Sequence, residues 1–78
     1  MAIVHRLVSQ ELEVETPHTH VEGTFSVVNQ DGQRCLQIDT YGSSGRKIPG
    51  KKSQSIRFAP SALEQLRRIL QEHFPSNA

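Results

Sequence analysis

The chain has 78 residues, 35% of them hydrophobic and 22% charged, with a formal net charge of +1. A chain this short buries only about 60% of the surface its unfolded form exposes, which bounds it to one domain with a thin core. Its single cysteine, Cys35, excludes an internal disulfide, no Cys/His cluster has zinc spacing, and no apolar run approaches the roughly 20 residues of a membrane span.

Small cores are usually supported by disulfides, metals or oligomers, so oligomerisation is the support left open here, beside a well-packed monomer. The opening MAIVHRLVSQ is unlike a signal peptide, because His5 and Arg6 break its apolar stretch. With one reduced cysteine, this composition points to a cytoplasmic protein. Charge is polarised along the chain. Residues 1–22 carry Arg6 against Glu11, Glu13, Glu15 and Glu22, whereas residues 23–58 carry Arg34, Arg46, Lys47, Lys51, Lys52 and Arg57 against Asp31 and Asp39.

Residues 2–15 read as one long or two short strands, with Leu12 and Val14 alternating against Glu11, Glu13 and Glu15. Pro17 opens a loop through His18 and His20. Residues 21–29 and 33–41 form a hairpin around Asp31-Gly32, a two-residue pair suited to a type I′ turn. That turn sets Gln30 opposite Gln33, Val27 opposite Leu36 and Phe25 opposite Ile38, with the apolar members all on one face. The glycine-rich and basic stretch GSSGRKIPGKK, residues 42–52, prevents a regular element. Residues 53–58 read as a short strand, and Pro60 with a Ser61/Glu64 capping box opens a helix over 60–74. Leu63, Leu66, Ile69, Leu70 and Phe74 form its apolar stripe, and residues 75–78 form a frayed tail. The expected fold is α+β: an antiparallel β-meander of about four strands with one C-terminal helix. The helix should bury its stripe on the face of Phe25, Val27, Leu36, Ile38, Ile56 and Phe58.

The chemistry-bearing residues concentrate in one loop. Arg46, Lys47, Lys51 and Lys52 stand beside glycines, with Arg57 on the adjoining strand. Cations beside bare backbone amides suit phosphate, although the same composition also serves a solvated loop. Single-stranded nucleic acid also wants flat side chains for stacking, and Tyr41 is the one aromatic not assigned to the core. His18 and His20 lack a third metal ligand, and Cys35 lies mid-strand as a small apolar residue would. No catalytic, metal or cofactor site is expected.

The run Leu36-Gln37-Ile38-Asp39-Thr40-Tyr41, the loop ending Pro49-Gly50-Lys51-Lys52, the strand Ser55-Ile56-Arg57-Phe58 and the helix-opening Pro60 together resemble the single-stranded-DNA-binding transcriptional coactivators, the positive cofactor four family and its bacterial relatives. The resemblance covers roughly residues 33–73. It implies a homodimer that binds single-stranded or melted DNA through its sheet and basic loops, with contacts by Tyr41, Arg46, Lys47, Lys51, Lys52 and Arg57. The alternative expectation is a protein-interaction or accessory module that adds a strand to a partner.

Overall fold

A computed structural model describes residues 1–42 and 52–76. The chain forms β1 (Ala2–Val4), β2 (Gly23–Gln30), β3 (Gln33–Tyr41), β4 (Lys52–Phe58) and the helix α1 (Pro60–His73). The α+β class is as expected. The strand arrangement is not the expected meander, because β1 pairs parallel with β4 and the order is β1-β4-β3-β2. The sheet is therefore mixed.

The β2–β3 hairpin forms in the register the sequence implies. Asp31 and Gly32 take φ of 52° and 75°, the double positive that a type I′ turn requires. Gln30 pairs with Gln33, Val27 with Leu36 and Phe25 with Ile38. β4 extends the same rows, with Phe58 beside Leu36 and Ile56 beside Ile38, and β1 adds Val4 and Ala2. Two apolar rows thus cross the whole sheet: Val27–Leu36–Phe58–Val4 and Phe25–Ile38–Ile56–Ala2.

The N-terminal segment differs from the expected long or paired strand. Only Ala2–Val4 forms a strand, and residues 5–22 contain no helix or strand. The parallel partnership explains why. β1 and β2 occupy opposite edges of the sheet, so the residues between them must span from one edge to the other. The alternation of Leu12 and Val14 with glutamates finds no ladder there, and both apolar side chains are exposed.

The helix also differs from expectation. Its N-cap is Ala59, without a side-chain cap. Ser61 Oγ donates instead to the carbonyl of His5 (2.6 Å), so the Ser61/Glu64 capping box does not form. Gln65 makes a reciprocal pair with Leu7, accepting from its N–H at 2.8 Å and donating to its carbonyl at 3.1 Å. The Ala59 N–H donates to Val4 O at 2.9 Å. These bonds tie the first two turns to β1 and the segment after it. Ala62 is fully buried and α1 packs on β3 and β4. The far half of the stripe is not covered: Leu70 and Phe74 are 49% and 72% exposed. Phe25 and Val27, the expected partners on the sheet, are 75% and 59% exposed. Tethering α1 beside the β1 side of the sheet keeps its stripe from closing over β2.

The result is an open molecule. Its accessible surface is 7086 Å², where a compact monomer of its mass would expose about 4,800 Å². Its radius of gyration is 14.8 Å, against about 11.5 Å for a compact domain of this length.

The turn geometry carries a direct test. A Cβ at Gly32 would meet no neighbour within 4 Å, so the cost of substitution there is conformational alone. Gly32→Ala should lower stability by about 1–2 kcal/mol, read as a drop in the denaturant midpoint at constant slope. An unchanged midpoint would contradict the type I′ assignment.

Candidate functional site

The two faces of the sheet have opposite character. On one face Cys35, Gln37 and Asp39 are almost fully buried, at 2%, 6% and 3% exposure. Pairing sets Gln37 beside Arg57 and Asp39 beside Ser55. Gln37 is the centre of a polar chain. Its Nε2 donates to both Asp39 oxygens, at 3.1 and 3.2 Å, and its Oε1 accepts from Arg57. Arg57 donates a further bond to Gln30 Oε1 at 2.9 Å, and Ser55 Oγ donates to Asp39. A cation and a carboxylate are thus joined through one neutral amide, which satisfies buried groups that would otherwise be costly.

Arg57 is therefore not the free cation the sequence suggests. Its guanidinium is held by Gln30 and Gln37 across three strands. Tyr41 ends β3, half-buried, with its hydroxyl 3.2 Å from Thr24 Oγ1. Lys52 pairs with Tyr41 across β3–β4, next to a register shift between Thr40 and Tyr41. Arg46, Lys47 and Lys51 lie outside the described residues. The described part of the site thus brings Tyr41 and the Lys52 backbone together and sends Arg57 elsewhere.

The other face holds residues whose pattern places them in the core. Phe25 stands open on it. Its row, with Ile38 and Ile56, lies next to the Thr40–Gln54 pair. Two clefts meet at that pair. One, of about 510 Å³, is bounded by His18, Val21, Tyr41, Gly42 and Ser53 as well. The other, of about 700 Å³, reaches Ala2, Ile38 and Ile56. His18 therefore belongs to a cleft wall. Among the described residues, no three His, Cys, Asp or Glu side chains form a metal-holding group. No helix among them is long and apolar enough to cross a membrane. Comparison with known proteins finds no matching family model, curated sequence or solved structure.

The polar chain should matter to stability. Gln37→Ala removes the link and strips partners from Arg57 and Asp39. It should cost about 1–3 kcal/mol in chemical denaturation. A loss below about 0.5 kcal/mol, the size of an ordinary surface substitution, would mean the chain is not a supporting element.

Proposed function

We propose that this chain is a small module for single-stranded or melted nucleic acid, with charge-dominated binding and low sequence specificity, acting as a homodimer. The observation that carries this reading is Phe25, an exposed aromatic on an open apolar sheet face. Stacking on such a side chain accepts any base, since every base has a π-face. The Phe25 row leads within two residues along β3 to Thr40, and then to the Tyr41–Lys52 pair where the basic connection leaves and rejoins the sheet. A strand lying along this face would meet the Phe25 platform on its way to the Tyr41 end of β3. The resemblance over residues 33–73 agrees with this use of the sheet and its loop. In this reading Arg57 positions the sheet through Gln30 and Gln37 and does not touch phosphate. The activity is binding and not catalysis.

A second reading has its own observation. Val8, Leu12 and Val14 are exposed in the segment without regular structure, the latter two between glutamates. An extended, alternating segment of that kind can add as a strand to another protein. It would make the chain an accessory subunit.

Fluorescence anisotropy with labelled oligonucleotides at a series of salt concentrations separates the two. The nucleic-acid reading predicts a log–log slope near −0.7 for each phosphate neutralised on a single strand. Replacing Lys51 and Lys52 together by alanine should flatten that slope. Phe25→Ala should weaken binding by about 1–3 kcal/mol while leaving the slope in place. Absence of binding at low salt, or affinity indifferent to salt and to both variants, would sink the reading and favour the accessory subunit.

A further inference from the structure

The outer edge of β2 is unoccupied by any other strand among the described residues, and its backbone is oriented for a partner. The Tyr41 N–H donates to Glu22 O. Hydrogen-bonded and non-bonded positions alternate along an antiparallel pair, so even-numbered residues of β2 bond inward to β3. Gly23, Phe25, Val27 and Asn29 then turn their amides and carbonyls outward, and all are exposed. Edge strands are normally blunted by lysine, proline or a bulge. β2, reading GTFSVVNQ, has no lysine, proline or charge, and its pairing with β3 runs without a bulge.

We propose that two copies of this chain join edge to edge along β2, antiparallel about a two-fold axis at Ser26, into one continuous sheet. This rests on the dimeric part of the reading above and specifies its surface. The uncharged edge lets a copy pair with itself without like charges meeting across the ladder. The register follows from the rows. Near the middle of the strand, a two-fold pairing that keeps outward residues opposite one another can centre on Phe25, Ser26 or Val27. Centring on Phe25 sets the Val27 row against the Gly23–Thr40 row. Centring on Val27 sets the Phe25 row against Asn29–Arg34. Only Ser26 at the centre places Phe25 opposite Val27 of the second copy, twice over, and makes both apolar rows continuous across the joined sheet. Aromatic and β-branched neighbours are favourable cross-strand pairs. Edge pairing leaves the ring face of Phe25 open on each copy, so the joined sheet would present two stacking platforms.

The register makes a covalent test possible. Ser26 would face its own copy as a non-hydrogen-bonded pair, with Cα atoms about 4.5 Å apart, inside the range a disulfide spans. In a Cys35→Ala background, Ser26→Cys should form a disulfide-linked dimer with oxidised glutathione at least ~10-fold faster than Thr24→Cys, whose copies sit in offset pairs. The wild-type chain should sediment as a dimer. Val27→Pro removes an outward donor but no bond to β3, so the dimer should weaken on the order of 100-fold with the far-ultraviolet circular dichroism retained. Should Val27→Pro unfold, the cross-linking comparison decides. A wild-type monomer at ~100 μM, whether alone or paired only with another protein, overturns the proposal. So does a dimer in which Ser26→Cys links no faster than Thr24→Cys. Oligonucleotide binding measured alongside separates the claims. A disulfide-linked Ser26→Cys dimer that ignores oligonucleotide defeats the nucleic-acid reading alone, and a salt-sensitive binder that stays monomeric defeats the edge pairing alone.

Discussion

Two residues with positive φ, Asp31 and Gly32, set the geometry on which the other elements depend. The type I′ turn twists with the strands it joins and admits one register. Given that register, β3 carries apolar side chains to one face and Cys35, Gln37 and Asp39 to the other. β4 then inherits the same division, because Phe58 and Ile56 fall beside Leu36 and Ile38 while Arg57 and Ser55 fall beside Gln37 and Asp39. A slip of one residue would bury the wrong set and break the Arg57–Gln37–Asp39 chain.

The two faces then meet different fates. On the polar face the Gln37 side chain accepts from Arg57 and donates to Asp39. The apolar face is left partly uncovered because α1 is tied through Ser61 and Gln65 to the segment after β1. Phe25, Val27 and Phe74 consequently remain in water. Large apolar side chains left exposed on a small protein mark candidate contact surfaces. The nucleic-acid and edge-pairing proposals both start from that surplus, one from the ring of Phe25 and the other from the backbone beneath it.

Sequence patterns were most legible where chemistry acts over short range. The Asp31-Gly32 pair specified its turn, the turn specified the hairpin partners, and Pro60 with the stripe specified the helix. What was not legible depends on long-range pairing. Nothing local in Ala2–Val4 distinguishes a parallel partner in β4 from an antiparallel neighbour in β2. The alternation at residues 11–15 looks like a strand, yet a strand needs a ladder, and this segment instead connects the β1 edge of the sheet to the β2 edge. Ser61 followed by Glu64 satisfies the capping pattern, but the His5 carbonyl competes for the serine and wins. Arg57 reads as a surface cation because it alternates with Ile56 and Phe58 and shares its strand face with Ser53 and Ser55. Its true partners, Gln30 and Gln37, are visible only once three strands lie side by side. The fold class was therefore readable, whereas which side chains remain free for a ligand was not.

The central claim is that this chain leaves one sheet edge and one apolar face for contact beyond itself. Amide hydrogen exchange along β2, followed residue by residue at high and low protein concentration, tests it most directly. The inward amides of Ser26 and Val28 should be protected in both conditions by their bonds to β3. The outward amides of Phe25 and Val27 should be protected at high concentration and lose that protection on dilution. Outward amides that exchange freely at every concentration would contradict the account, and would leave β2 a bare edge in solution.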